Sequence, residues 1–288
     1  MTPLRQRLIE ELVLRGYSDK TKEAYVHAVA SLAGHYQRSP GQLTDQETRS
    51  YLLHLHTNTG KAASTLNVAV SGLRFFYRFV LRKPFAHIER AMPRVLKPKR
   101  RPKAYSKAEI KRLLAEGCPT LKHRTFLATV YGAGLRLNEA CHLRPEHIDR
   151  HCGQIRVEQG KGRKDRYTVL PQTLLTMLED YWRMYRPSGG WIFPSTRDPR
   201  QPMPDGTAQK IFYNAVQRAR LPDKGGIHCL RHSFATHWLE AGLPLFVLKR
   251  LLGHTSLSTT ATYLHVSREH VAKVKSPYDT LYEEKQPG

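Results

Sequence analysis

Acidic residues are scarce in this sequence. Asp and Glu number 24 against 47 Lys and Arg, so the 288-residue chain carries a formal charge of +23 with histidine neutral. An excess of this size points to a polyanionic partner, with nucleic acid ahead of an anionic membrane surface. Cysteine is scarcer still. Cys118, Cys141, Cys152 and Cys229 form no CxxC pair, which excludes a zinc ribbon or a disulfide framework and suits a reducing compartment. No apolar run approaches the roughly 18 residues of a membrane span. The opening Met1-Thr2-Pro3-Leu4-Arg5 begins a charged amphipathic segment, not a secretory signal. A soluble cytoplasmic protein is therefore expected. Hydrophobic residues make up 40% of the chain, enough for a packed core, so a wholly disordered basic tail is excluded. The length allows one large domain or two ordinary ones.

The first 90 or so residues read as helices. Leu4, Leu8, Ile9, Leu12 and Val13 make one face, stopped by Gly16; Tyr25, Val29, Leu32 and Tyr36 make a second. Thr44-Asp45-Gln46-Glu47 fits a capping box ahead of Tyr51, Leu52 and Leu55. Ser64 precedes Leu66, Val70, Leu73 and Tyr77, which completes a four-helix unit. Composition then shifts. Arg94, Lys97, Lys99, Arg100, Arg101 and Lys103 crowd a stretch with Pro98 and Pro102 and no acid. Prolines at this density block helix and strand, so the stretch reads as a solvated linker that can also track phosphates. Ten extended residues reach about 33 Å, more than a major groove of about 12 Å. A second capping box, Ser106-Lys107-Ala108-Glu109, opens another mostly helical region. Its helices are expected near 121–133, 172–185, 207–220, 229–241, 245–252 and 258–273. Gln154–Glu158 and Tyr167–Leu170 flank a glycine-containing turn and read as a β-hairpin.

Taken singly, the chemical motifs are ambiguous. Gly160-Lys161-Gly162-Arg163-Lys164-Asp165-Arg166 is a solvated basic turn, or a turn that delivers a lysine into a site. It is not a nucleotide-binding P-loop, because the position five residues before Gly160 is Ile155. His228 and Arg231 share a helix face. His228 and His232, four apart, would also suit a zinc pair, although HExxH is absent and no carboxylate cluster accompanies them. His254 could be a helix C-terminal histidine favoured by the dipole, and Tyr263 a plain amphipathic-helix tyrosine.

The ordered set is more telling. Arg136, in Gly132-Ala133-Gly134-Leu135-Arg136-Leu137-Asn138-Glu139, is followed by Lys161, His228-x-x-Arg231, Gly253-His254 and Tyr263. The segments GLRLNEACHLRPEHID, EQGKGRKDRYTVL, HCLRHSFATHWLEAG and LLGHTSLSTTATYLHV closely resemble the tyrosine recombinases, the group of phage integrases, integron integrases and Xer-type recombinases. Ala63-Ser64-Thr65-Leu66-Asn67 is similar, more loosely, to the family's fourth helix. Neither an integron-type insertion nor an extra arm-binding domain is evident.

The resemblance implies a mainly α fold with a small antiparallel β element, in two domains. Residues 1–92 would form a helical, SAM-like core-binding domain, 93–104 a basic Pro-rich linker and 105–288 a mixed α/β catalytic domain, the two domains clamping DNA from opposite sides. It implies a site-specific recombinase that cuts and rejoins DNA through a 3′-phosphotyrosyl intermediate in a tetramer, without metal or other cofactor. Tyr263 is the candidate nucleophile. Its ordinary pKa of about 10 means that it needs a cationic pocket or a proton acceptor. Arg136 and Arg231 would stabilise charge on the phosphate, His228 and His254 would donate to it, and Lys161 would protonate the leaving 5′ oxygen. Glu139 orients Arg136 or is a plain surface partner. Lys97, Lys99, Arg100, Arg101, Lys103, Arg163, Lys164 and Arg166 are expected to face DNA. The stretch His265–Lys275, with Val271, Val274, Tyr278, Leu281 and Tyr282, would dock on a neighbouring protomer or on its own core. Relaxation of supercoils in the manner of a type IB topoisomerase shares this chemistry. A noncatalytic DNA-binding protein on the same fold is disfavoured by the intact set, and a metal-dependent nuclease by the lack of a carboxylate triad.

Overall fold

A computed structural model describes residues 2–96, 103–158 and 165–263. The chain divides into two compact units, Met1–Arg100 and Arg101–Gly288.

In the first unit, α1 (Pro3–Leu14) starts on a proline, whose missing N–H is no loss at that position. It buries Leu8 and Leu12, while Val13, one position further round, is 54% exposed. The Ser18 hydroxyl accepts from the Thr21 amide to cap α2 (Asp19–Tyr36). The Thr44–Glu47 capping box opens α3 (Asp45–Thr57) as expected, with amide-to-side-chain bonds of 3.2 and 2.8 Å. Then α4 (Ala63–Phe75) runs on into a π turn, Phe76–Val80. A fifth helix follows, α5 (Phe85–Ala91). It corrects the four-helix expectation, since seven residues behind Pro84 are too few to display a helical period. Leu8, Leu12, Leu32, Leu66, Leu73 and Phe76 form the core. The buried Tyr77 hydroxyl is satisfied by Thr48 Oγ1 at 2.7 Å. Asn67 then fastens the start of the basic stretch, donating to the Val95 carbonyl (2.8 Å) and accepting from its amide (3.0 Å).

The second unit begins at the expected Ser106–Glu109 capping box, followed by α6 (Lys107–Glu116), α7 (Leu121–Gly132) and the short α8 (Leu137–Cys141). A three-stranded antiparallel sheet comes next: β1 (Ile148–Asp149), β2 (Gln154–Val157) and β3 (Arg166–Val169), in that order. The expected hairpin is β2–β3, paired from Gln154↔Val169 to Val157↔Arg166. The two-residue β1 escaped the sequence reading because it is too short to alternate. Among the described residues five helices follow: α9 (Gln172–Tyr185), α10 (Asp205–Arg218), α11 (His228–Glu240), α12 (Leu245–Leu252) and α13 (Leu257–Ala261). The helix expected over 258–273 is described only as far as α13, since residues from 264 lie outside the described set.

The helix α11 is the central element. Nine of its residues are buried, from Cys229 to Leu239, including the charged Arg231. It packs on one side against the main core of Phe126, Leu135, Ile155 and Phe212. On the other, Phe234 and Leu239 join Leu248, Leu252 and Tyr263 in a smaller cluster. Each such side chain contributes about 1.5–3 kcal/mol by leaving water. The turn between α7 and α8 reaches α11 because Gly134 holds φ at +60°, and a Cβ there would lie 2.5 Å from the Phe234 ring.

Gly134→Ala is therefore expected to destabilise the chain by about 1–3 kcal/mol through overpacking. Adding Phe234→Leu should return part of that loss in thermal melting, whereas strictly additive effects would show that the ring is not the obstacle.

Candidate active site

The site is organised around one buried carboxylate. Glu139 lies in the first turn of α8, where its Oε2 accepts from the Arg136 amide (2.7 Å) and so caps the helix. Its Oε1 accepts from Arg136 Nη1 (2.7 Å). Arg166, the first residue of β3, grips both oxygens as a fork, with Nη1–Oε1 and Nη2–Oε2 each 2.7 Å. Arg231 Nη1 stands 3.7 Å from Oε2. The Glu139 side chain is only 7% exposed. Burial alone would raise its pKa, but hydrogen bonds from Arg166 and Arg136 and their charges override this and hold it at about 2. This excludes the surface-pair reading of Glu139. It also corrects Arg166, which is not a DNA-facing side chain: its guanidinium is 8% exposed, and its Nε donates to the Leu251 carbonyl (2.9 Å).

Backbone carbonyls aim the other two arginines. Arg136 Nη2 donates to the Gly253 carbonyl (3.3 Å). Arg231 Nη1 donates to the Gly134 carbonyl (2.7 Å), and its Nη2 to that of Leu252. Burial and then Arg136 push Arg231 down to about 9, so it stays charged at neutral pH. Gly253 ends α12 at φ +61°, and a Cβ there would strike Arg166 Cδ at 2.6 Å.

That left-handed turn delivers His254, whose Nδ1 faces Thr260 Oγ1 at 2.9 Å and whose Nε2 faces Arg231 Nη2 at 3.4 Å. A guanidinium only donates, so the Nε2 facing it carries the lone pair. Burial, with Arg231, Arg136 and Arg166, lowers His254 to about 4. Its ring is neutral near pH 7, which replaces the helix-dipole reading of a cationic histidine. Tyr263 stacks on it at 6.5 Å with planes 12° apart. Only 4% of Tyr263 is exposed. Burial raises its pKa, while Arg231 and Arg136 pull it down. Its Oη lies 2.8 Å from His232 Nδ1. His228, the exposed first residue of α11, feels Arg231 and Arg136 electrostatically, and partial desolvation followed by those charges lowers its pKa.

The structure thus brings Arg136, His228, Arg231, His254 and Tyr263 into one electrostatic neighbourhood with Glu139. Lys161, Arg163 and Lys164 fall in 159–164, and Lys97, Lys99, Arg100 and Arg101 in 97–102, both outside the described residues; so does the His265–Lys275 stretch. Lys103 is described and exposed. Two contacts were missed in the sequence. His232 was weighed only as a zinc partner, and Thr260 not at all. Among the described residues no group of three His, Cys, Asp or Glu side chains could hold a metal ion, and Nδ1 of His232 is committed to Tyr263. The usable signal was helical position: one residue beyond Arg231, a side chain turns about 100° from it, away from the arginine cluster.

Similarity to known proteins extends over both units. Residues 103–270 match the phage integrase family, and residues 4–87 match the phage integrase N-terminal SAM-like domain. The chain is 39% identical to the integrase/recombinase y4qK of Sinorhizobium fredii, over 98% of this chain and 90% of that one. It is 34% identical to tyrosine recombinase XerA of Thermococcus kodakarensis, over 92% and 91%. Among solved structures, a lambda integrase tetramer bound to a Holliday junction shares the fold, with a TM-score of 0.71 at 22% identity over 90% of this chain and 76% of that one.

Glu139→Gln removes the charge but keeps the shape, and is expected to cost about 3–5 kcal/mol because buried arginines lose their counter-ion. The carboxyl is depressed to about 2 when folded, from 4.5, so its contribution is complete above about pH 4.5 and is lost as pH falls towards 2. The melting-temperature gap between the two proteins should therefore be wide at pH 7 and close in acid. A gap independent of pH would contradict the ion cluster.

Proposed function

The chain belongs to the phage integrase family and is a tyrosine recombinase, and from that premise we propose the following site-specific reaction on double-stranded DNA. Tyr263 attacks a backbone phosphate and leaves a 3′-phosphotyrosyl bond and a free 5′-hydroxyl. A second 5′-hydroxyl, from a partner duplex, reverses the step and rejoins the strands. Exchange runs in a tetramer, a reading supported by the shared fold with lambda integrase, itself seen as a tetramer on a Holliday junction. The protein would work in the cytoplasm, with the DNA. Among the described residues no helix is long and apolar enough to cross a membrane.

One observation carries the reading. Two arginines are pinned by Glu139 and by backbone carbonyls beside a tyrosine that is 4% exposed. In-line displacement builds charge on the nonbridging oxygens, and catalysis of such a step is mainly positioning and electrostatic stabilisation. Forks that already point inward need no reorganisation when that charge appears. Arg136 and Arg231 also favour the phenolate, against burial, which favours the phenol. An approaching phosphate would give the arginines a further partner. His254, held through Thr260, would donate to a phosphate oxygen only once its Nε2, which carries the lone pair at rest, takes up a proton as the anion arrives, and His228 stands at the open end of α11. Lys161, which lies in the sequence between β2 and β3, would protonate the leaving 5′ oxygen. The phosphotyrosyl bond conserves the phosphodiester energy, so the reaction needs no nucleotide cofactor.

Tyr263→Phe should bind DNA as the wild type does but form no covalent complex; a covalent band that persists would place the nucleophile elsewhere. Lys161→Ala should slow cleavage far more than binding. A substrate with sulfur at the 5′-bridging position, whose leaving group needs no proton, should restore the rate, and failure of that rescue would remove the general-acid role.

A further inference from the structure

Most of the chemistry-bearing groups are absorbed by the reaction above, but His232 is not. Its Nδ1 sits 2.8 Å from Tyr263 Oη, and among the described residues this is the hydrogen bond that the hydroxyl makes. We propose, resting on Tyr263 as nucleophile, that His232 is a further catalytic residue: it takes the hydroxyl proton as Oη bonds to phosphorus and returns it when the strand is rejoined.

His254 and Glu139, the other described groups beside the tyrosine and Arg231, have their acceptor atoms directed elsewhere. His254 lies nearly parallel to the tyrosine ring, with Nδ1 on Thr260 and Nε2 towards Arg231, so neither nitrogen addresses Oη. Both Glu139 oxygens are taken by Arg166 and Arg136. His228, one turn before His232, affects it electrostatically. His232, by contrast, is held where it must be. It rises from α11 between the buried Arg231 and Ser233, and Tyr263 is wedged into the cluster with Phe234, Leu248 and Leu252. Tyr263 is buried, and a hydroxyl proton there without an acceptor would be costly. The phenol therefore donates and Nδ1 accepts.

Timing follows from the surroundings. His232 is faced by Tyr263, by His228 and Arg231 on its own helix, and by His254 at the end of α12. Burial, then His228 and Arg231, hold its imidazole at about 4. At rest it is neutral, as an acceptor must be, and too weak a base to ionise the phenol. Negative charge arriving with the phosphate opposes the Arg231 charge and raises its proton affinity at the moment of attack. The balance closes: Oη–P forms, P–O5′ breaks, the phenol proton goes to Nδ1, and the proton for the 5′ oxygen comes from Lys161. Rejoining runs both transfers backwards.

The test is single-turnover formation of the covalent complex by the full chain, on a nicked suicide duplex built from the DNA flanking its coding sequence. His232→Ala should form the complex about 10²–10⁴-fold more slowly near neutral pH, with DNA affinity unchanged. The deficit should shrink as pH rises and solvent removes the phenol proton unaided. His232→Asn, which keeps an acceptor that does not titrate, should recover only a small part. Either variant reacting within about threefold of the wild type, or faster, would overturn the inference; a fast Asn variant would mean that the contact merely positions the hydroxyl. A wild-type protein that forms no Tyr263-dependent complex would instead bring down the underlying reading, and the inference with it.

Discussion

The second unit depends on one carboxylate kept charged where water is scarce. Glu139 is worth burying because three guanidinium groups from three different elements converge on it: Arg136 ahead of α8, Arg166 at the start of β3 and Arg231 within α11. A lone buried carboxylate would neutralise itself. Here the arginines hold it ionised, and it holds them in place. Remove it and three like charges face one another in a poorly solvated space. Arg166 therefore spends its charge on structure, and in doing so ties β3 to α8.

The same arrangement divides the +23 excess into two kinds of charge. Exposed cations such as Lys103 would act on a polyanion at long range, screened by salt, and so bear on affinity in the proposed reaction. Arg136 and Arg231 are different. Their N–H groups are aligned by the carbonyls of Gly253, Gly134 and Leu252, and two of those carbonyls belong to glycines in left-handed turns. In the proposed reaction these two pre-aimed forks set the rate, and the bulk charge sets how often DNA arrives.

Much of this was legible in the sequence. Capping boxes at Thr44 and Ser106, the hairpin around Gly160 and Gly162, and most helices of the second unit could be read from local chemistry, because caps and periodicity act within a turn or two. The order Arg136, Lys161, His228, Arg231, His254, Tyr263 pointed to the family. What escaped reading was tertiary. Nothing local to Arg166 says that its partner lies 27 residues upstream, so a basic residue in a basic turn read as DNA-facing. Glu139 looked equally like a surface acid, because burial is decided by α11 and α12, not by α8. His232 read as a metal partner of His228, since an i, i+4 pair carries no information about the tyrosine that packs against it. The helix α5 and the strand β1 were too short for periodicity to register.

The central claim is that this cation cluster activates Tyr263 against a DNA phosphate, and peptide mapping of the covalent complex tests it most directly. After protease and nuclease digestion, tandem mass spectrometry should find the nucleotide on the peptide that contains Tyr263, joined through a 3′-phosphate and leaving a 5′-hydroxyl on the other fragment. An adduct on any other residue, or one joined through a 5′-phosphate, would contradict the account.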